Sequence, residues 1–201
     1  MDSVKVSNYY ANIFPLKELV DKLDVTGPLC MREISFCLES GGYVRNLSFK
    51  DAQQLSDKFA SLKPHKIDIG AVYRTKSGFK ELSNCIRREL VFDIDASDYD
   101  EIRSCCKEKK FCEKCYIIVL LSCKLLHYLM KSTTRHFNVL GSFGFNDIKW
   151  FFSGRRGLHC WIFDSRALSL SSSIRKALTN YLSTFYKRHV ALSFDRYRLQ
   201  H

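Results

Sequence analysis

The sequence lacks any apolar run long enough to cross a membrane. Its longest apolar stretch is CYIIVLLSC at residues 115–123, and Lys124 follows it at once. Because a membrane-spanning helix needs about 20 predominantly apolar residues, this stretch predicts a buried helix instead. The opening residues, MDSVKVSNYY, also lack the apolar core of a secretory signal. We therefore expect an intracellular protein with no membrane partner, whose nine cysteines are thiols or metal ligands rather than disulfides.

Acidic residues are scarce relative to basic ones. The chain has 21 Asp and Glu against 32 Lys and Arg, a formal net charge of +11 and a pI of about 9.2. This excess favours an anionic partner such as nucleic acid, nucleotides or an acidic membrane face, although charge alone leaves open a basic protein without one. The hydrophobic share of 46% excludes a disordered chain. With 201 residues and no internal repeat, one domain is expected, with or without a small insertion.

Apolar periodicity predicts helices and strands in mixed order. Helices are predicted at 9–23 (amphipathic, containing Pro15), from a cap at Ser48 or Asp51 to Leu62, at 113–136 and at 169–189. Strands are predicted at 31–40, 43–49, 66–73, 89–95, 147–152 and 158–163. Gly41 and Gly42 turn the first two strands into a hairpin, and Pro64 ends the second helix. The order predicts an α/β or α+β domain with a mixed, mostly antiparallel sheet flanked by helices.

Two carboxylates interrupt one of the predicted strands. Asp93 and Asp95 lie two residues apart, so they share a face with Val91, while Phe92 and Ile94 face the core. Like charges only about 7 Å apart along a strand repel each other unless a cation lies between them. Carboxylate oxygens select Mg²⁺ or Mn²⁺, the ions that assist attack on the α-phosphate of a nucleotide. The alternative is an edge strand with a solvated acidic face.

A loop rich in glycine and arginine joins the last two predicted strands. The segment consists of Ser153, Gly154, Arg155, Arg156, Gly157, Leu158 and His159. Its serine and glycines allow close backbone approach and leave amide hydrogens free, its arginines carry forked donors suited to phosphate, and its histidine can add a donor. This pattern predicts a triphosphate cradle on a hairpin, distinct from the P-loop pattern. The alternative is a hydrophilic turn with solvated arginines.

Cysteines are concentrated in the segment 104–116, SCCKEKKFCEKCY, which contains Cys105, Cys106, Cys112 and Cys115. A C-x-x-C pair with two cysteines upstream can close a structural four-thiolate zinc site that holds this loop. Because adjacent ligands are unusual, Cys123 or His127 stays open as an alternative ligand, and a loop without metal is the other interpretation. The cysteines predicted as small core residues are Cys30, Cys37, Cys85, Cys123 and Cys160.

Together, the D-x-D strand, the CC…CxxC loop and SGRRGxHxW closely resemble the small, catalytic subunit of eukaryotic and archaeal DNA primases. Further similar stretches are YYANIFP, REISF, YVRNLSF, KIDIGAVY, ELVFDIDASDYD and SGRRGLHCWIFD. The resemblance extends from about residue 8 to residue 185, and the cysteine spacing is most similar to the eukaryotic branch. It implies a primase catalytic core with a small zinc-binding insertion. It also implies a nucleotidyltransferase (a DNA-directed RNA polymerase) that makes short RNA primers from ribonucleoside triphosphates on single-stranded DNA for replication.

The resemblance also implies roles for individual residues. Asp93 and Asp95 match the aspartates of the family that bind Mg²⁺ or Mn²⁺, and Glu33 matches the glutamate of its REF/REI motif, counted among the active-site acids. The segment 153–159 matches the triphosphate loop, and the four clustered cysteines match the zinc ligands. The positions that line or support the nucleotide site are matched by Tyr43, Arg45, Lys66 and Asp68, with Asp68 expected near the ribose.

The resemblance further implies partners and a location: the primase large subunit, the DNA polymerase alpha complex, a DNA template with its RNA primer, and the nucleus. Members of the family extend well beyond 201 residues and add a third metal-binding aspartate and a basic segment. Asp195, in the closing FDRYRLQH, lacks the pattern around that aspartate and is not assigned its role. We therefore expect residues 1–201 to form a primase core without its C-terminal part, and catalysis from the full protein rather than from this part alone.

Three alternatives remain open. A non-catalytic, zinc-containing nucleic-acid-binding module accounts for the basic charge and the cysteines, but not for an acid pair together with an arginine loop. A subunit-docking fragment keeps only the contacts with partners. A primase-like repair polymerase of another lineage fits the acids, although the CC…CxxC insertion argues against it. Metal-dependent binding of a nucleoside triphosphate, and preference for ribonucleotides or deoxyribonucleotides, discriminate among them.

Overall fold

The structure is a computed structural model that describes residues 3–76, 81–131 and 143–182. The chain divides into two compact units, Met1–Glu89 and Leu90–His201. Helices and antiparallel strand pairs occur together, which confirms the predicted α+β class. Within the described ranges, no helix combines the length and the apolar character that a membrane crossing requires.

The first unit begins with two helices where one was predicted. Helix α1 spans Ser3–Asn12 and helix α2 spans Leu16–Asp24. The single helix predicted over 9–23 is therefore wrong. Pro15 caps α2, has no N–H with which to continue α1, and disfavours helical geometry in the residue before it.

Among the described residues of the first unit, four antiparallel strands form one sheet. They are β1 (Arg32–Cys37), β2 (Tyr43–Leu47), β3 (Lys66–Tyr73) and β4 (Cys85–Arg87), in the spatial order β2-β1-β3-β4. Short 3₁₀ turns at Leu29–Met31 and Leu82–Asn84 precede β1 and β4. The predicted hairpin and the strand predicted at 66–73 are confirmed, and Gly41 turns the hairpin with a positive φ of 85°.

Helix α3 (Ala52–Leu62) follows the hairpin as predicted. Asp51, rather than Ser48, is its cap, because the Asp51 side chain accepts the Gln54 amide at 2.9 Å. The helix ends where Lys63 adopts a left-handed conformation, immediately before Pro64. The core of this unit consists of Val20, Leu29, Ile34, Phe36, Phe49, Leu55 and Phe59.

A buried ion pair joins several elements of the first unit. The side chains of Arg32 and Glu89 are 0% and 2% exposed, and both terminal nitrogens of Arg32 contact the carboxylate, at 2.8 and 3.0 Å. The same nitrogens donate to the carbonyls of Gly70 (2.8 Å) and Leu23 (3.2 Å), while the Thr26 hydroxyl donates to Glu89 at 2.5 Å. The pair thus holds β1, β3 and the end of α2 together.

The described part of the second unit is built on three antiparallel strands and one long helix. Its elements are β5 (Leu90–Asp95), a 3₁₀ turn (Ala96–Tyr99), α4 (Glu113–Lys131), β6 (Ile148–Phe152), β7 (Gly157–Ile162) and α5 (Ser165–Leu168). The strand order is β5-β7-β6, and all three strands were predicted. Its core includes Leu90, Ile94, Ile118, Val119, Leu126, Met130, Cys160 and Ile162.

The helical boundaries of this unit differ in part from the prediction. The long helix begins at Glu113 as expected, while its predicted end at residue 136 lies outside the described residues. The last helix, predicted from about Ser169, begins at residue 172. Helix α5 ends at Leu168, and helical structure resumes at 172–182, where the Ser171 hydroxyl accepts the Ile174 amide at 3.3 Å. Its predicted end at residue 189 also lies outside the described residues.

Candidate functional site

The acid pair and the arginine loop meet through strand register. In the antiparallel pairing of β5 and β7, Asp93 lies opposite His159 and Asp95 lies opposite Gly157. Directly opposite residues of an antiparallel pair point to the same face, so the acids and His159 share one side of the sheet. Asp93 Oδ1 lies 3.5 Å from His159 Nε2, and their side chains are 68% and 37% exposed. The side on which Asp93 lies is therefore open to solvent.

The alternation predicted for β5 is confirmed. Val91 and Asp93 are exposed and Asp95 is partly exposed, whereas Ile94 is buried and Phe92 packs against the core. The acidic face was thus predictable from a period of two residues.

Asp95 is held by several donors that converge on one of its oxygens. Its Oδ1 accepts from Arg156 Nε at 2.6 Å, from the Ser97 amide at 2.9 Å and from the Ser97 hydroxyl at 2.8 Å. Partial burial opposes ionisation, but the bonds from Arg156 and Ser97 outweigh it and hold the pKa of Asp95 below its ordinary value. Asp95 is therefore ionised at neutral pH. Within the described part of the chain, these bonds leave Oδ2 available to a ligand.

The loop between β6 and β7 is closed by its first and last residues. The Ser153 amide donates to the Gly157 carbonyl and the Gly157 amide donates to Ser153 Oγ, both at 3.0 Å. The expectation that these two amides are free is therefore wrong, because the Ser153 amide is bonded to the Gly157 carbonyl and the Gly157 amide to the Ser153 hydroxyl. Gly154 has a positive φ of 85°, and a Cβ at Gly157 would lie 2.6 Å from the carbonyl oxygen of Ile94. Both glycines thus meet steric demands of the loop itself.

Donors at the tip of the loop remain available to a ligand. Across residues 3–76, 81–131 and 143–182, no group accepts from the amides of Gly154, Arg155 and Arg156. The Arg155 side chain is exposed, and Arg156 uses only its Nε toward Asp95. Amides without a protein acceptor among the described residues, together with two guanidinium groups, are donors suited to an anion.

The predicted site residues of the first unit also share a face. On the four-stranded sheet, Cys37 pairs with both Tyr43 and Lys66, and Ser35 pairs with Asp68. Since residues two apart on a strand point the same way, Tyr43, Arg45, Lys66 and Asp68 lie on one side. The Arg45 guanidinium lies 4.4 Å from the centre of the Tyr43 ring.

Glu33 lies at an irregularity between β1 and β3. The register shifts between Arg32 and Ile34, and a Cβ added at Gly70 would lie 2.9 Å from the Glu33 carbonyl oxygen and 3.1 Å from its Oε2. The Tyr73 hydroxyl donates to Glu33 Oε2 at 3.4 Å. Gly70 therefore makes room for the carboxyl group, and Tyr73 orients it.

The four clustered cysteines converge in space. The sulfur atoms of Cys105, Cys106, Cys112 and Cys115 all lie within 4.8 Å of one another. Cys115 Sγ lies 3.4 Å from Cys105 Sγ and 3.8 Å from Cys112 Sγ. A tetrahedral zinc ion with Zn–S bonds of about 2.3 Å separates its sulfur ligands by about 3.8 Å. The cluster is therefore compatible with zinc binding.

The alternative ligands do not join this cluster. Among the described residues, the only group with metal-binding spacing consists of the four cysteines, and His127 Nδ1 accepts from Trp150 Nε1 at 3.3 Å. Of the cysteines predicted for the core, Cys37 and Cys160 are buried. The prediction is less accurate for Cys30, Cys85 and Cys123, which are partly exposed.

Several supporting residues were missed by sequence reasoning. Asp95 caps the 3₁₀ turn and forms a capping box with Asp98, a signal that the letters D-A-S-D carry and that a search for caps would have found. Arg103 donates to Cys115 Sγ at 3.3 Å and pairs with Asp100, but no local pattern marks it.

Comparisons with known proteins agree on one family. The family model for the DNA primase small subunit matches residues 92–200, more than half of the chain. The chain is 35% identical over 191 residues to the DNA primase small subunit of Schizosaccharomyces pombe, 39% over 156 residues to that of Drosophila melanogaster, and 31% over 176 residues to that of Picrophilus torridus. The match to the S. pombe protein covers 90% of this chain and 40% of that relative. The corresponding shares are 76% and 34% for D. melanogaster, and 85% and 44% for P. torridus. The chain thus spans less than half the length of these relatives.

Proposed function

The chain belongs to the DNA primase small subunit family, and we propose that it carries the metal- and triphosphate-binding part of a primase active site. The reaction is the DNA-templated joining of ribonucleoside triphosphates into short RNA primers for replication. The observation that carries this proposal is the β5–β7 register, which sets Asp93 against His159 and Asp95 against Gly157. Ligands for a cation and donors for a phosphate chain thereby lie side by side.

Asp93 and Asp95 would supply carboxylate ligands to Mg²⁺ or Mn²⁺. The exposure of Asp93, the availability of Asp95 Oδ2 and the lowered pKa of Asp95 fit this role. Such ions, when bound, lower the pKa of an attacking 3′-hydroxyl and neutralise a leaving pyrophosphate. Ser97 and Arg156 hold Asp95 in a single orientation, which reduces the reorganisation needed on binding.

The loop residues would hold the triphosphate. Arg155 is exposed, the amides of residues 154–156 have no acceptor among the described residues, and Arg156 retains its terminal nitrogens after pairing with Asp95. His159 can add a donor beside Asp93. Because Arg156 bonds a proposed metal ligand while belonging to the phosphate loop, it couples the two halves of the site. Positioning and charge stabilisation would provide most of the rate acceleration.

The first unit contains further residues to which we assign roles. We assign Glu33 as an active-site acid, and Tyr43, Arg45, Lys66 and Asp68 as residues that line the nucleotide site, with Asp68 near the ribose. The common face of Tyr43, Arg45, Lys66 and Asp68 on the four-stranded sheet supports the assignment of these four residues. The four-cysteine cluster would hold a structural zinc ion.

The proposal also covers the domain, the partners and the location of the protein. Residues 1–201 would form the primase catalytic core with its zinc loop at 104–116. It would assemble with a primase large subunit and the DNA polymerase alpha complex in the nucleus, and the basic surface would follow the DNA template with a strong dependence on salt.

Nucleotide binding tests this function directly. Calorimetric titration of the zinc-loaded chain with UTP, with and without Mn²⁺, should show binding that requires the metal. Asp93→Ala and Arg155→Ala should each weaken it about tenfold or more, a loss of ~1.4 kcal/mol or more, because each removes a charge-assisted contact. Lys17→Ala, at an exposed position of α2, should bind like the unaltered chain.

The outcomes separate the candidates. Metal-dependent binding lost in both site variants supports the primase site. A folded protein that binds single-stranded DNA but no nucleotide would favour the non-catalytic nucleic-acid-binding module. Binding that survives Asp93→Ala at full strength would contradict the assignment of the acid pair.

A further inference from the structure

A buried arginine lies between the cysteine cluster and the turn that follows the acid pair. Arg103 is only 2% exposed. Its Nε donates to Asp100 Oδ1 at 2.9 Å, and one terminal nitrogen pairs with the same carboxylate. The remaining bonds run to the carbonyls of Lys110 (3.1 Å) and Glu108 (3.3 Å) and to Cys115 Sγ (3.3 Å). All five N–H groups of the guanidinium therefore have partners.

All five donors need partners because a buried guanidinium is strongly unfavourable unless its charge and its donors are matched. Asp100 matches the charge, and it also accepts the Glu108 amide at 2.7 Å through its other oxygen. The two side chains thereby hold the loop from residue 100 to residue 110 as one unit. This loop carries two of the cysteines.

The contact with Cys115 places the positive charge of Arg103 beside a proposed zinc ligand. Cys115 is fully buried, and its sulfur has the sulfur atoms of Cys105 and Cys112 as neighbours. A neutral thiol is a weak acceptor and gains little from a buried cation, whereas a thiolate gains a charge-assisted hydrogen bond. Four thiolates around Zn²⁺ carry a net charge of −2. A fixed positive charge beside the most buried ligand offsets part of it.

The same arginine is connected to Asp95 through consecutive turns. Asp95 caps the 3₁₀ turn Ala96–Tyr99, and the Asp100 amide donates back into that turn, to the Ser97 carbonyl, at 3.3 Å. The Arg103 amide donates to the Tyr99 carbonyl at 2.9 Å. Every step from Asp95 to Arg103 is therefore a short-range bond between described residues.

The phosphate loop lies within electrostatic range of the same group. The pKa of Arg156 is raised mainly by its bond to Asp95, and Asp100 and Arg103 also act on it with opposite signs. The Arg156 carbonyl in turn accepts the Ala96 amide at 3.3 Å. The turn that Asp95 caps and the arginine that contacts the cysteine cluster thus belong to one segment of the chain, residues 95–103.

We propose that Arg103 is a positioning residue with two linked roles: it stabilises a zinc-loaded cysteine cluster through its contact with Cys115, and through Asp100 it makes the turn behind Asp95 depend on zinc. The first role rests on the proposed zinc binding. The second extends it, since metal occupancy then rigidifies a segment next to the acid pair. Partners behind metal ligands commonly change metal affinity by about 10- to 100-fold.

Zinc affinity and amide exchange test the two roles separately. Zinc affinity is measured by competition with a chromophoric chelator for the unaltered chain, Arg103→Ala and Arg103→Lys. Arg166→Ala is the matched control, because Arg166 also donates to backbone carbonyls of this unit, at Phe143 and Gly144, but has no part in the cluster. We expect about 10- to 100-fold weaker zinc binding in Arg103→Ala and no change in the control.

The second role is tested by hydrogen exchange with and without zinc. The amides to follow are those of Asp100, Ile102 and Arg103. Zinc should slow their exchange in the unaltered chain. Arg103→Lys keeps the charge but cannot reach Asp100, Cys115 and both carbonyls together, so it should bind zinc more tightly than Arg103→Ala and yet lose the zinc-dependent protection. This variant keeps the test usable if Arg103→Ala does not fold.

The results discriminate between the underlying assumptions. An unaltered chain that binds no zinc overturns the zinc site itself and this inference with it. Tight zinc binding that is equal in Arg103→Ala and the unaltered chain overturns the role of Arg103 alone. Protection of the three amides that is the same with and without zinc overturns the link to the turn.

Discussion

Loss of the Glu89 carboxylate should destabilise the first unit severely. Glu89→Ala leaves the fully buried Arg32 guanidinium with only the carbonyls of Gly70 and Leu23, and it leaves the Thr26 hydroxyl without its acceptor. Removing one partner of a buried ion pair costs about 3–5 kcal/mol, a large part of the roughly 5–15 kcal/mol that stabilises a domain.

Two further variants serve as comparisons. Glu89→Gln tests the contribution of the negative charge, and Lys17→Ala tests an ion pair that is exposed rather than buried. Glu89→Gln keeps an acceptor for Arg32 and Thr26 but removes the negative charge, so its cost should be smaller than that of Glu89→Ala. Lys17→Ala breaks a pair with Asp21 whose side chains are 83% and 61% exposed. Its cost should stay below about 0.5 kcal/mol, as for other exposed i,i+4 pairs.

Amide hydrogen exchange is the suitable assay, because a chain with two compact units need not unfold in one step. The opening free energies of β1 and β3 amides, such as Ile34 and Ile69, should fall by the predicted amounts. If Glu89→Ala does not fold, Glu89→Gln supplies the measurement. A cost for Glu89→Ala no greater than that for Lys17→Ala would refute the reasoning.

Two other predictions concern backbone positions. Gly157→Ala brings a Cβ within 2.6 Å of the Ile94 carbonyl oxygen and should lower the opening free energy of β5 and β7 amides by about 1–3 kcal/mol in hydrogen exchange. Gly42→Ala, whose nearest contact is 3.6 Å, should lower the opening free energy of β1 and β2 amides by under about 1 kcal/mol, and equal effects of the two variants would contradict the argument from close approach. Asp51→Ala removes the acceptor of the Gln54 amide and should cost about 1 kcal/mol in the same assay, with Asp51→Asn nearly neutral as the capping control; a harmless Asp51→Ala would show that the cap is dispensable.

Much of the local structure follows from neighbouring residues in the sequence. The period of two in ELVFDID placed Asp93 and Asp95 on one open face, because the pleat of a strand does this whatever its partner. The cap at Asp51 and the loop between β6 and β7 are likewise short-range features. The family resemblance was also readable directly, since its motifs are contiguous. Apolar periodicity alone has a limit, because it predicted one helix through Pro15. Proline has no N–H to continue a helix, and the structure has two helices there.

The tertiary structure decided which distant residues meet. The pairing of Asp93 with His159, and of Asp95 with Arg156, depends on strand register across more than sixty positions of the chain, which no local pattern encodes. The burial of Arg32 depends on the fold in the same way, because its partner Glu89 lies 57 positions away. The four sulfur atoms, in contrast, converge from a single segment, residues 105–115, that the sequence had marked. The physical reason is that a charge can be buried only where folding brings its partner, so the sequence shows which groups are charged and the fold determines which of them are paired.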